Sequence, residues 1–290
     1  MPEGAVFDLG YRPHDGPRLG RRGALAALFR DGLRRVLGLR RRARSKVLPW
    51  ALLGIALLPA LFFTAFGVVL GDLDVSNTIF GHADYFDLTG TVSLIFVALA
   101  GSELTVPDRA SGTMAIYASR PLTIGDYLAV RAASLGAVVF GFLYLPHVVL
   151  HLGRAWTSSR GFGSYVVDEV TVLWETAAAS MVFIVAYAPI VFLVGTFSKR
   201  TSVAAAAGFG SIVFVSGGAA ALVEEGGLDV AGLLAVQFHP GYVKDWIMSA
   251  DTQHWVPESA GFQPWVSLVV IGVVALLALG AVRARYRNVQ

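Results

Sequence analysis

The chain has 290 residues, 55% of them hydrophobic and 15% charged, with a mean hydropathy of +0.63. That balance excludes a water-soluble globule, which would leave too much apolar surface in water. The absence of cysteine excludes a disulfide scaffold, a thiolate zinc site and a cysteine nucleophile.

The N-terminus is polar for its first two dozen residues, so a cleavable signal is not expected there. Residues 1–46 form a cytoplasmic N-terminal segment. Within 19–46 the apolar residues Leu25, Leu28, Phe29, Leu33, Val36 and Leu37 recur near helical spacing, with Arg30, Arg34, Arg35 and Arg41 between them. This pattern predicts an amphipathic helix lying in the inner membrane interface. A solvated arginine-rich tail would have no use for that apolar face. Nucleic acid is a poor partner too, because no aromatic residue interleaves the arginines after Phe29.

Residues 47–290 then predict a six-span, all-α integral membrane domain. Five uncharged stretches of 22 to 25 residues separate Lys46 from Asp72, Arg131 from Arg154, Glu175 from Lys199, Arg200 from Glu224, and Glu258 from Arg283. A helix needs about 20 residues to cross ~30 Å of hydrocarbon, so each stretch is long enough. A sixth span is shorter in its uncharged part but continues past Glu103 through Leu104 and Val106. The expected spans are about 48–70, 88–106, 131–152, 174–197, 202–223 and 263–283.

Basic residues fix the orientation, since Lys and Arg collect in short cytoplasmic loops. With both termini inside, 20 of the 23 fall on the inner side and only Arg154, Arg160 and Lys244 outside. The outer segments are acidic, so the pI of 9.3 describes an inner face suited to anionic lipid. Multi-pass insertion in a cell membrane of the prokaryotic inner-membrane type is the expected location.

Pro59, Pro146 and Pro189 interrupt the first, third and fourth spans, where neighbouring helices must satisfy the freed carbonyls. In the fifth span Ala204 with Gly208, Ala206 with Gly210, and then Ser211 form a small-residue pattern. Small residues four apart let two backbones approach closely, which fits either an oligomer interface at Ala204, Gly208, Gly210 and Ser211 or a tightly packed interior helix. Between the fifth and sixth spans, Trp246, Trp255 and Trp265 are expected as outer-interface anchors of partly embedded helices.

The segment 103–131 is the most informative. Pro107 is expected to end one helix, Ser111 and Gly112 to make a turn, 113–119 to form a short helix and Pro121 to stop it. An acidic residue and arginine, then Ser-Gly-Thr, a short apolar helix, then Ser-Arg-Pro-Leu and an aromatic soon after, resemble the permease subunits of type-2 ABC transporters. The branch it resembles most is the one labelled multicopper-enzyme-maturation permease. The resemblance implies that this loop is a coupling helix seated in a cleft of the ATP-binding subunit. It further implies that Arg109, Ser111, Gly112, Thr113, Met114, Tyr117, Arg120 and Pro121 contact that ATPase. It implies an exporter built from two permeases, the second being another copy or a relative, and two ATP-binding subunits.

ATP and Mg would belong to that separate subunit. The only glycine-to-lysine run, 195–201, has Lys199 followed by Arg200 at a span end and cannot form a phosphate-cradling loop. Glu103 and Arg131 flank the coupling loop. Both are expected to snorkel to the inner interface, with pairing as the alternative.

Two other classes compete. His147 and His151 are four apart on one helix face, as a metal site would require, and His82, His239 and His254 fall on the same outer side. A metal-handling or metal-dependent membrane protein is therefore the alternative, against packing roles for both histidines. An intramembrane serine protease at Ser102 fails, because Ser102 lies near the inner end while the histidines lie near the outer end.

Overall fold

The structure is a computed structural model that describes residues 19–39, 44–70, 80–113, 122–251 and 255–287. Every regular element among them is helical. In chain order they are α1 (Gly20–Val36), α2 (Arg44–Leu70), α3 (His82–Ala110), α4 (Ile124–Thr157), α5 (Phe162–Asp168), α6 (Val170–Gly195) and α7 (Thr201–Glu224). A 3-10 turn (Asp229–Leu234), α8 (His239–Met248), α9 (Val256–Ser259) and α10 (Pro264–Arg287) complete them. Six helices, α2, α3, α4, α6, α7 and α10, are long and apolar enough to cross a membrane. The fold is consistent with a multi-pass membrane protein.

α3 sits at the centre, 67% buried over its apolar window, with α4, α6 and α7 packed around it, whereas α2 lies on the outside at 22%. The outward residues of α2 include Ile55, Leu58, Leu61, Phe62, Val68 and Val69, and α10 exposes Val269, Leu276 and Leu277. So large an apolar surface suits lipid and not water. Hydroxyls inside the bundle satisfy themselves locally. Thr89, Ser93, Ser102 and Thr105 of α3 each donate to the carbonyl four residues back, so they bury no unpaired group.

Small residues set the interhelical distances. A Cβ on Gly101 of α3 would stand 2.6 Å from Val191 Cγ1 of α6, and Gly195 of α6 in turn abuts Thr105 of α3. The α2–α4 contact repeats this exchange, with Gly153 against Thr64 and Gly67 against Thr157. Such reciprocal contacts of glycine with a β-branched side chain replace the hydrophobic drive that helices lack in lipid.

Several expected boundaries move. The N-terminal helix ends at Val36, not at Lys46, because Gly38 takes a left-handed φ of 65°. Leu39 N–H then donates to Arg34 O and Gly38 N–H to Arg35 O, a Schellman closure. Pro107 does not end α3. Proline removes only its own N–H, and the helix runs on to Ala110 with Ser111 N–H and Oγ both donating to Pro107 O. Pro59, Pro146 and Pro189 likewise lie inside continuous helices.

The second and third spans are longer at both ends than hydropathy suggested. α3 starts at His82, where Asp84 accepts from Gly81 N–H at 2.6 Å. α4 starts after Thr123, whose side chain and that of Asp126 form a capping box. Its 34 residues make about 51 Å of helix, well beyond the hydrocarbon.

The segment between α7 and α10 folds back onto the bundle. Ala231, Ala235, Val256 and Ala260 pack on Ala219 and Val223 of α7, while α8 beds against α6 and α10. Trp246 and Trp265 are exposed as interface anchors would be. Trp255 is not an anchor: its ring lies over Gly241 and its Nε1–H donates to Asp245.

Candidate functional site

The loop between α3 and α4 is rooted in a buried charge network. Asp108 stands in the last turn of α3, 2% exposed. Its carboxylate accepts from Arg35 Nη1 at 2.7 Å, from Arg131 Nη2 at 2.6 Å and from Tyr127 OH at 2.8 Å. Asp31 bridges the same two arginines, at 3.0 Å from Arg131 and 3.1 Å from Arg35. Two carboxylates and two guanidiniums thus connect α1, the end of α3 and the start of α4.

Local sequence explains the placement. Asp31 and Arg35 are one turn apart on α1, and Gly32 between them abuts Ser134 of α4, so α1 can lie directly on that helix. Tyr127 and Arg131 are also one turn apart, on the face of α4 turned to α3, and the guanidinium of Arg131 lies 5.6 Å from the Tyr127 ring. Arg131 is therefore fully enclosed and paired, and it does not snorkel. Its position on α4 faces other helices, so the side chain has no path to solvent, and ion pairing is the way to keep its charge. Glu103 is half-buried.

Of the loop residues singled out by sequence, four are described. Arg109 Nη1 donates to Gly195 O at 3.0 Å and so ties the end of α3 to the end of α6. Ser111 and Gly112 are exposed in a turn, with Gly112 at a φ of 70°, and Thr113 Oγ1 donates back to Asp108 O at 2.9 Å. Met114, Tyr117, Arg120 and Pro121 lie outside the described residues, as does the expected helix 113–119 beyond its first residue.

Other basic groups collect at the same end. Arg21 of α1 reaches Asp126 at 2.6 Å, a hydrogen bond that raises the guanidinium pKa above its ordinary value. Arg285 of α10 lies 5.1 Å from the Phe197 ring, next to Lys199 and Arg200.

The small-residue face of α7 is divided. Ala204 and Gly208 point inward together with Ile212, Ser216 and Ala219, and a Cβ on Gly208 would meet Val191 of α6 at 3.5 Å. These two positions serve packing within the chain. Gly210 and Ser211 are half-buried, and Ser211 Oγ donates to Gly208 O. On α2, the face of Gly67 is likewise covered from within the chain, by Thr157 of α4.

At the opposite end of the bundle His147 and His151 are both enclosed, and His82 of α3 joins them. His82 Nδ1 and His147 Nδ1 are 3.1 Å apart, within hydrogen-bond distance. The His82 and His151 ring centroids are 6.3 Å apart. Among the described residues no group of three or more His, Asp or Glu side chains is arranged to hold a metal ion. His239 is separate, its Nδ1 2.8 Å from Ser267 Oγ, and burial holds its pKa below the ordinary histidine value.

Sequence patterns did not reveal Lys244. It is wholly enclosed in α8, with Nζ 2.8 Å from both carboxylate oxygens of Asp87, 2.6 Å from Asp245 and 3.1 Å from Ala83 O. Its only sequence signal is a lysine on the otherwise acidic side of the chain. No family model matches the chain, and no curated protein matches it.

Proposed function

We propose that this chain is the permease subunit of an ATP-driven exporter of the type-2 ABC class. A separate ATP-binding subunit, with its ATP and Mg, docks on the 108–123 loop at the cytoplasmic side of a cell membrane. The permease works as a pair, with a second copy or a related chain, over two ATPases.

The observation that carries this proposal is the Asp31–Arg35–Asp108–Arg131 network. A loop that receives force from an ATPase must have roots that do not yield. Here both roots are fixed to each other and to α1 by charge-assisted hydrogen bonds from Arg35 and Arg131 to Asp108 at 2.7 and 2.6 Å and by the ion pairs of both arginines with Asp31 at 3.1 and 3.0 Å. Displacement of the loop is then shared by α3 and α4, and Arg109 extends it to α6 through Gly195. A mere connector needs no such anchorage. Transmission of this kind is rigid-body movement of packed helices against one another.

The test is reconstitution with the ATP-binding subunit that co-purifies with this chain from its native membrane. Wild type should associate with that subunit and stimulate its ATP hydrolysis in nanodiscs. Tyr117→Ala should weaken association at least tenfold, about 1.4 kcal/mol, without loss of membrane insertion. Unchanged association and hydrolysis in Tyr117→Ala and Arg109→Ala would remove the loop from the mechanism. The metal-handling alternative has one observation in its favour, the approach of His82 to His147. Metal content of the purified protein distinguishes the two.

A further inference from the structure

Between α1, α2 and α4 lies an apolar crevice of about 390 Å³. α1 and α2 both pack on α4, and across the gap between them Trp50 Nε1–H donates to Leu37 O at 3.1 Å. The floor is the stacked ring pair of Phe96 and Phe142, with centroids 3.9 Å apart. Along α4 the crevice follows Ala137, Gly141 and Leu145, each one turn from the next, over about 12 Å of helix. That is close to the ~15 Å that one leaflet, half of a ~30 Å hydrocarbon core, provides. A Cβ on Gly141 would meet nothing within 4 Å, so this glycine, unlike Gly101 and Gly153, draws no helix closer and leaves the space beside α4 open.

Charge at the rim identifies the occupant. On α1, Arg30, Leu33, Arg34 and Leu37 follow the three-and-four spacing that puts them on one side of the helix, and the two leucines line the crevice. On α2, Lys46, Pro49, Trp50 and Leu53 repeat that spacing, and the last three line the crevice. Arg30, Arg34 and Lys46 are exposed and make no ion pair among the described residues, whereas Arg35 of the same α1 is committed to Asp31 and Asp108. An apolar slot alone would accept any hydrocarbon. Three uncommitted cations within one turn of it select an amphiphile with an anionic head.

We propose that this crevice holds an anionic phospholipid, with one acyl chain along Ala137, Gly141 and Leu145 and its phosphate between Arg34 and Lys46. Arg30, one turn further along α1, adds to the field at the head. A neutral lipid leaves these cations unmatched, and a soluble phosphate makes no use of the slot. The bound chain fills the gap between α1 and α2, and so holds α1 on α4, where Asp31 and Arg35 enter the network at the root of the 108–123 loop. Binding is read without any ATPase, so this inference and the proposed coupling fail separately.

The experiment is tryptophan quenching of the full chain in phosphatidylcholine nanodiscs, titrated with phosphatidylglycerol brominated in its acyl chains. The signal of Trp50 is the difference between each protein and its Trp50→Phe counterpart. In wild type, half-maximal quenching of that signal should come at a mole fraction about fivefold or more below that needed with brominated phosphatidylcholine. The double variant Arg34→Gln, Lys46→Gln, at exposed positions, should lose the preference. Gly141→Leu, which fills the crevice and keeps the cations, should lose it as well. Should one of these fail to fold, the other reads the same preference. Inorganic phosphate should not displace the brominated lipid. Equal quenching by the two lipids, a preference retained in the folded variants, or displacement by phosphate overturns the proposal. Absence of quenching by either lipid overturns it too, since protein would then cover the crevice.

Discussion

Asp108→Asn removes one charge from the network while keeping the side-chain shape. In wild type the carboxylate takes three hydrogen bonds, two from guanidiniums, and the Arg131 side chain it neutralises is 0% exposed. In the variant an amide must face those donors with one oxygen, and its own NH₂ meets a cation. Removing one partner of a buried ion pair typically costs about 3–5 kcal/mol. Arg131 keeps Asp31 at 3.0 Å, and that carboxylate is 48% exposed and so a weaker neutraliser, which points to the lower part of the range. By the usual scaling of melting temperature for a chain of this size, a loss of about 3 kcal/mol lowers it by on the order of 5–10 °C. The assay is thermal unfolding in detergent, beside two controls. Asp126→Asn, whose partner Arg21 is 59% exposed, should leave the melting temperature nearly unchanged. The double variant Asp108→Leu, Arg131→Met should recover most of the loss, because apolar replacement of both partners removes the stranded charge. Arg35 and Asp31 still have each other. A melting temperature for Asp108→Asn within 1 °C of wild type would falsify the claim that this network anchors the loop.

Gly101→Ala should destabilise by about 1–3 kcal/mol through overpacking, since its Cβ would stand 2.6 Å from Val191 Cγ1, whereas Gly136→Ala, with nothing within 4 Å, should be neutral or slightly stabilising in the same melting assay. His239 is held neutral by burial, so its folded pKa lies below the unfolded value near 6.5. Its stabilising contribution is then present above about pH 6.5 and lost as pH falls towards the folded pKa, because the unfolded chain binds the extra proton. His239→Gln should flatten the fall in melting temperature between pH 7.5 and 5, and an unaltered slope would remove this residue from the pH response. For topology, single cysteines at Ser164 and Asp251, both exposed and at the end of the bundle opposite the 108–123 loop, should label with a membrane-impermeant thiol reagent from outside. One at Ser111 should not, and labelling there would reverse the orientation.

The spans were legible because crossing hydrocarbon requires an unbroken apolar run, a property written along one dimension of the chain. The fourth, fifth and sixth spans, α6, α7 and α10, accordingly begin and end within about four residues of the expected limits. The turn at Ser111 and Gly112 was legible for the same local reason, since Gly112 takes a positive φ that disfavours other residues. Helix ends set by capping were harder to see. Asp84 and Asp126 look like charges that close a span, yet each starts a helix by accepting backbone N–H groups.

Tertiary structure alone decided which charges meet. Asp108 and Arg35 are 73 residues apart in sequence, and Lys244 and Asp87 are 157 apart. Spacing carries no signal over such distances, and what joins these residues is the packing of α1 on α4 and of α8 against α3 and α6. Packing also chose the face of α7 that turns inward and moved Trp255 from the interface to the wall of an enclosed ammonium. Hydropathy fixes how far a residue is from water. Only the fold fixes what stands beside it, and for a charge inside a helical bundle the neighbour determines whether it can stay charged.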